Sequence, residues 1–84
     1  MSTTDITAIR AVVDDVVEEV LGVSSAGFGP EARLGDDLEA DSLQLVDMAM
    51  SCERRLGIVI PEDDFDALQT LGDVVAYLAE RAGP

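Results

Sequence analysis

The stretch LEADSLQLVDM, residues 38–48, contains the signals for the start of a helix and a serine among carboxylates. Asp41 is a favoured N-cap residue, and Gln44 three positions later completes a capping box, which places Ser42 at the first helical position. Gly57 suits the left-handed conformation that ends a helix. The spacing therefore predicts a helix from Ser42 to Leu56, a rod of about 15 residues and roughly 22 Å.

This helix has two apolar stripes, although a bundle needs only one from each helix for its core. The inward stripe comprises Leu45, Met48 or Ala49, Cys52 and Leu56. The outward stripe comprises Leu43, Val46 and Met50. We therefore expect the outward stripe to remain exposed.

A first helix precedes this segment, because AVVDDVVEEV at 11–20 alternates apolar and acidic pairs with a period near four. Thr3 or Thr4 can cap it and Gly22 can end it. Its apolar stripe comprises Ile6, Ile9, Val13, Val16, Val17 and Val20. The aperiodic residues 22–40 predict a long connection, with Phe28, Leu34 and Leu38 as apolar pins against the bundle.

Two further helices follow. Pro61 is suited to begin a short helix that runs through Leu68, and Thr70 with Asp73 forms a second capping box. The last helix has an apolar face made of Leu71, Val74, Val75, Leu78 and Ala82. The sequence predicts an all-α fold with a single domain over residues 1–84: a four-helix bundle of three long helices and one short helix, with a long loop between helices 1 and 2.

The composition limits the partners. The chain carries 18 Asp and Glu against 5 Arg and Lys, for a formal charge of −13. Nucleic acid and anionic membranes should be repelled, and a charged partner should present a basic surface. The N-terminal residues lack the pattern of a signal peptide, and a single cysteine excludes an internal disulfide. We expect a cytoplasmic monomer.

Catalysis by this chain is disfavoured, because it has no His and no Lys to serve as an acid or base at neutral pH. Ser42 has no base in the sequence that could activate it as a nucleophile. Cys52 lies on the inward stripe, where packing is the expected role. We therefore expect a non-enzymatic protein in which Ser42 is modified by another enzyme or simply begins a helix.

A calcium loop of the EF-hand type is also disfavoured. Loop positions one, three, five and twelve would be Glu62, Asp64, Asp66 and Asp73. However, position six is Ala67, where the sharp turn requires glycine, and position twelve lacks the bidentate glutamate. We expect no specific metal site.

Three segments resemble the acyl carrier proteins. LGDDLEADSLQLVDM, residues 34–48, resembles the family's attachment site, and RRLGIVIPEDDF, residues 54–65, resembles its segment between the second and third helices. LQTLGDVVAYL, residues 68–78, resembles its last helix. Only the region around SSAGFG departs from the family pattern, so the resemblance covers nearly the full chain.

The resemblance implies that a phosphopantetheinyl transferase esterifies Ser42 with 4′-phosphopantetheine from coenzyme A. The thiol of this arm then carries acyl intermediates as thioesters. The implied partners are an acyltransferase, a ketosynthase or other acyl-processing enzymes with basic docking patches. The residues expected to contact them are Leu43, Val46 and Met50, with Asp41, Asp47 and Glu53 as the surrounding acids. A carried chain folded between the helices would be lined by Leu45, Met48, Phe65, Leu68 and Tyr77.

Several positions depart from fatty-acid carriers. Gln44 stands where an acid is common, Arg54 and Arg55 replace acids, and Glu39 replaces a glycine. These departures favour a discrete carrier in polyketide or other specialised-metabolite biosynthesis. The alternatives are a housekeeping carrier of fatty-acid synthesis, a peptidyl carrier, and an acidic interaction module that never receives the arm. Peptidyl carriers typically show G-G-[DH]-S-L, which Ala40 and Asp41 do not match.

Overall fold

The computed structural model describes residues 6–82, apart from the side chains of Glu62 and Ala82. Its helices are α1 (Ile6–Leu21), α2 (Ser42–Leu56), α3 (Glu62–Asp66) and α4 (Leu71–Ala82). Over this range the chain forms helices and connections without a strand, and Arg33 and Thr70 make an isolated antiparallel bridge. The predicted all-α architecture, with one short helix and a long first connection, is confirmed. The predicted Thr3 or Thr4 cap lies outside the described residues.

α1 packs against both α2 and α4. Ile9, Val13, Val16 and Val17 are buried along the predicted stripe, and Gly22 ends the helix with φ of 74°. Ile6 was also predicted to be buried, and that prediction is wrong: it is exposed at the rim of an open groove shared with Pro30 and Val75. The reason is position, since a residue in the first turn extends beyond the packed part of the helix.

The core is completed by the inward faces of α2 and α4 and by parts of the first connection. Met48 and Cys52 are buried on α2, while Leu45, Ala49 and Leu56 of the same stripe are partly buried against the core. α4 contributes Leu71, Val74, Val75 and Leu78 as predicted. Burying one large aliphatic side chain stabilises a fold by about 1.5 to 3 kcal/mol, so this single apolar cluster is the main source of stability.

The connection from α1 to α2 is held by polar groups as well as by apolar residues. Leu34 and Leu38 are buried as predicted, but Phe28 is exposed, so its prediction as a buried pin is wrong. The fully buried Ser25 anchors this part of the loop instead by donating a hydrogen bond to Asp14. Arg10 donates to the carbonyl oxygens of Ser25 at 2.8 Å and Phe28 at 2.7 Å. The backbone of Phe28 is therefore fixed, while the residue retains 38% of its accessible surface.

α3 is shorter than predicted. It was expected to run from Pro61 through Leu68, whereas Pro61 is the N-cap and the helix ends at Asp66. After Asp66 the backbone tightens instead of continuing as an α-helix, and Leu68 N donates to the carbonyl oxygen of Phe65 at 3.0 Å. The carbonyl oxygen of Gln69 then accepts a hydrogen bond from Leu34 N at 2.9 Å, which joins this segment to the first connection. Across residues 6–82, the helices are too short or too polar to cross a membrane.

Candidate functional site

The start of α2 has the predicted capping box. Asp41 Oδ1 accepts a hydrogen bond from Gln44 N at 2.8 Å, and Gln44 Oε1 accepts one from Asp41 N at 3.1 Å. Asp41 has an extended backbone, as N-cap residues do, and Ser42 is the first helical residue. The helix start is therefore capped without the Ser42 hydroxyl, and Ser42 is exposed. That hydroxyl is accessible on a rigid element.

The electrostatics at Ser42 favour an anionic group. The N-terminus of a helix carries a partial positive charge and backbone N–H groups without helical partners. The first turn of α2 contains no acidic residue, while Arg54 and Arg55 lie in its last turn and complement the opposite end of the dipole. A phosphate ester on Ser42 would thus meet the positive end of the helix, although the Asp41 carboxylate lies next to it in sequence.

The backbone leading into this site is constrained. Glu39 has φ of 59°, the left-handed conformation that glycine adopts most readily. On its two sides, Leu38 N donates to the carbonyl oxygen of Arg33 at 3.1 Å and Ala40 N donates to that of Leu34 at 3.0 Å. These two hydrogen bonds hold the turn in place, although the left-handed conformation of Glu39 is unfavourable for a residue with a Cβ atom. This turn therefore fixes the direction in which the chain enters α2 at Asp41.

A cleft of about 280 Å³ lies beside Ser42 between α2 and α3. Its lining comprises Ser42, Leu45, Val46, Ala49, Phe65 and Asp66. Leu45 and Phe65 were predicted to line a space for cargo. Leu68, also predicted, lines an adjoining cleft that shares Leu45 and Asp66. Met48 is instead fully buried in the core, and Tyr77 donates a hydrogen bond to Asp64 at 2.8 Å.

The outward face of α2 is apolar and exposed. Leu43, Val46 and Met50 retain 70%, 41% and 49% of their accessible surface. Asp41, at the start of this helix, and Asp47, in its first half, are also exposed. The structure therefore brings five of the six residues predicted for partner contact onto the solvent side of α2.

The sixth residue, Glu53, has a structural partner. Its carboxylate accepts a hydrogen bond from Ile60 N at 2.6 Å, and the residue is partly buried. This bond holds the extended segment that leads to α3 against the end of α2. Helical periodicity carries no sign of this bond, because the two residues lie on different elements.

The C-terminal half of α2 is tied to α1 through Glu19. The fully buried Ser51 donates its hydroxyl to Glu19 Oε1 at 2.8 Å, and Arg55 Nη2 donates to the same oxygen at 3.2 Å. The hydrogen bond from Ser51, followed by that from Arg55, lowers the pKa of Glu19 below its usual 4.5. The periodicity of α1 carries no signal for this contact, because it relates residues within one helix only.

Cys52 is not a reactive thiol. It is buried in the core, and desolvation raises its pKa to about 11, above the ordinary value of 9.0. The thiol is therefore protonated at neutral pH, and only a thiolate would be an effective nucleophile. The expectation of a packing role is confirmed.

Two of the acidic residues considered for a calcium loop, Asp64 and Asp73, have other structural roles. Asp64 accepts hydrogen bonds from Tyr77 and, at 2.9 Å, from Arg81. Asp73 caps α4 by accepting from Gln69 N and Thr70 N, while Asp73 N donates to Thr70 Oγ1 at 3.0 Å. These backbone bonds, that from Gln69 first, lower the pKa of Asp73. The second predicted capping box is thus confirmed.

Comparison with known proteins gives consistent matches. The family model described as the phosphopantetheine attachment site matches residues 11–78. The chain is 41% identical over 70 residues to the meromycolate extension acyl carrier protein of Mycobacterium tuberculosis, covering 83% of this chain and 61% of that protein. It therefore spans about three fifths of the length of that relative.

Two relatives match over most of their own length. The acyl carrier protein of Thermotoga maritima is 39% identical over 71 residues, which cover 84% of this chain and 88% of that protein. The acyl carrier protein of Syntrophobacter fumaroxidans is 36% identical over 77 residues, covering 92% of this chain and 95% of that protein. The matches include the segment that contains α2 and Ser42.

Proposed function

This chain belongs to the acyl carrier protein family, whose members bear covalent 4′-phosphopantetheine, and we propose that Ser42 is the residue that receives this arm. One observation carries the proposal. Ser42 is exposed at the first position of α2, while Asp41 and Gln44 satisfy the cap between themselves. The hydroxyl is therefore presented to a separate phosphopantetheinyl transferase without any loss of helix capping.

The residues around Ser42 fit the group. The first turn of α2 has no acidic side chain to repel the phosphodiester, and the positive end of the helix dipole favours an anionic group there. The cleft beside Ser42, between Val46 and Phe65, offers apolar surface to the portion nearest the helix. When attached, the arm supplies a thiol that holds acyl groups as thioesters.

The exposed face of α2 is proposed to contact partner enzymes. Leu43, Val46 and Met50 form an apolar centre, and Asp41 and Asp47 supply negative charge for basic patches on an acyltransferase, a ketosynthase or another acyl-processing enzyme. Glu53 contributes its negative charge at a distance, because one of its carboxylate oxygens already accepts a hydrogen bond from Ile60 N. Exposed apolar groups with a charged rim are what docking requires.

The departures at Glu39, Gln44, Arg54 and Arg55 support a carrier of polyketide or other specialised-metabolite synthesis rather than of housekeeping fatty-acid synthesis. Gln44 also completes the capping box, so it has a structural role as well. A cytoplasmic location is part of the proposal, and it accords with a single buried and unpaired cysteine.

Intact mass measurement tests the proposal. The purified chain is incubated with coenzyme A, magnesium and a broad-specificity phosphopantetheinyl transferase. We expect a gain of one phosphopantetheine group in the native chain, no gain in Ser42→Ala, and a full gain in Ser24→Ala, which removes another exposed serine. No gain in the native chain, or an undiminished gain in Ser42→Ala, would contradict the proposal. Loading with acyl and aminoacyl donors then separates acyl from peptidyl carriers.

A further inference from the structure

The exposed face of α2 continues past its apolar centre to a positive charge. Leu43, Asp47, Met50 and Arg54 are spaced by four, three and four residues, which places them on one side of a helix. We call these four residues the α2 strip. Asp47, Met50 and Arg54 also line one shallow cleft against α1, which confirms that they are neighbours in space. Arg54 is thus part of the same surface as the proposed docking residues.

Arg54 differs from the adjacent Arg55 in how its charge is used. The Arg55 side chain is 39% exposed, and it lies 3.2 Å from Glu19 Oε1 and 3.8 Å from Asp15. The Arg54 side chain is 65% exposed, and its Nη2 lies 3.9 Å from Glu19 Oε2, beyond hydrogen-bond distance. Glu19 therefore holds Arg55 firmly and leaves the donors of Arg54 available on the surface.

The charge of Arg54 is unusual for its location. In a chain of formal charge −13, the α2 strip is negative at Asp47 and positive at Arg54. Arg54 lies seven positions after Asp47 along the helix, a rise of roughly 10 Å. A partner with only basic residues would pair with Asp47 but place like charges opposite Arg54, and such juxtapositions discriminate against a partner.

We propose that Arg54 is a specificity-determining contact. Enzymes that use this carrier would present basic residues opposite Asp41 and Asp47 and a carboxylate roughly 10 Å farther along, opposite Arg54. The inference rests on the proposed function, since it concerns the same docking face. A guanidinium is suited to this role because its planar fork of donors pairs with both oxygens of a carboxylate.

The test compares two purified ketosynthases of known structure. One has a wholly basic carrier-docking surface, and the other has a carboxylate beside its basic residues at the stated spacing. The acylated carrier is supplied as native chain, Arg54→Glu, Arg54→Lys and Arg33→Glu. Arg33→Glu is the matched control, because it makes the same charge change at a side chain that is 58% exposed and lies outside the strip.

We expect Arg54→Glu to lower kcat/KM about tenfold with the mixed surface and to raise it with the wholly basic surface. Arg54→Lys should fall between the native chain and Arg54→Glu, because it keeps the charge but loses the fork. Arg33→Glu should leave the ratio of the two kcat/KM values within about twofold of native, and raised ionic strength should shrink every difference.

Three outcomes would overturn the inference. The ratio could be unchanged in Arg54→Glu, Arg33→Glu could shift it equally, or the mixed-surface ketosynthase could fail to use the native carrier. Phosphopantetheine loading of every variant is measured first by intact mass. A native chain that gains no arm contradicts the proposed function, whereas normal loading with one of these three outcomes contradicts only the role of Arg54.

Discussion

Replacing Asp41 by alanine should destabilise the protein through loss of a helix cap. The substitution removes the acceptor that Gln44 N uses at 2.8 Å, while the reciprocal hydrogen bond from the backbone N–H of residue 41 to Gln44 Oε1 can still form. Loss of such a cap costs about 1 kcal/mol, within a range of about 0.5 to 2. For 84 residues, an unfolding entropy of about 2.1 cal/mol/K per residue converts about 1 kcal/mol into a fall in Tm of about 6 °C.

Asp41→Asn separates the hydrogen bond from the charge. Asparagine keeps a side-chain oxygen for Gln44 N and loses the favourable carboxylate at the helix N-terminus, but it also relieves some repulsion in a chain of charge −13. We expect less than half the destabilisation of Asp41→Ala. Asp36→Ala is the control, because it removes one exposed carboxylate that lies 4.0 Å from Arg33 and caps no helix. It should stay within about 0.5 kcal/mol of native.

Urea unfolding followed by far-UV circular dichroism measures all three variants. The reasoning fails if Asp41→Ala is as stable as the native chain. It also fails if Asp41→Asn loses as much stability as Asp41→Ala, because the charge rather than the hydrogen bond would then carry the effect.

Three further predictions follow from particular residues. Glu39→Gly should raise the free energy of unfolding by about 0.5 to 1 kcal/mol, because Glu39 has φ of 59°; Glu39→Gln removes the charge but keeps the Cβ, and an equal gain there would exclude backbone strain as the cause. Ellman's reagent at about pH 8 should modify Cys52 slowly in the folded chain without the arm and rapidly in denaturant, because burial raises its pKa to about 11; equal rates would contradict its burial. The pKa of Glu19 is lowered on folding, so its contribution to stability is present above its usual 4.5 and is lost as the pH falls through the lowered value. NMR titration should show that pKa rising in Ser51→Ala, and an unchanged value would refute the assignment to Ser51.

Local signals predicted both ends of α2 and the start of α4. Each of the two helix starts has a capping box, whose residues are only three positions apart, and Gly57 ends α2. Asp41 with Gln44 and Thr70 with Asp73 therefore appear in the structure as expected. The end of α3 was mispredicted, since Leu68 N bonds to the Phe65 carbonyl oxygen in a tightened turn instead of continuing the α-helix. Helical periodicity gives no sign of such a turn.

Hydrophobicity alone mispredicted the burial of several side chains outside α2 and within it. Ile6 and Phe28 are apolar but exposed, whereas the polar Ser25 and Ser51 are buried by partners on α1. At the proposed docking face the sequence identified the exposed apolar stripe. It could not show that Glu53 is engaged with Ile60 or that Glu19 holds Arg55 more closely than Arg54.

The two stripes of α2 separate what holds the protein together from what other molecules meet. Met48 and Cys52 face the core, while Leu43, Asp47, Met50 and Arg54 face solvent. Surface substitutions usually change stability by less than about 0.5 kcal/mol, so the residues that partners recognise can change without unfolding the protein. Exchanging these four outward side chains is then a rational route to variants that share one core but do not bind each other's partner enzymes.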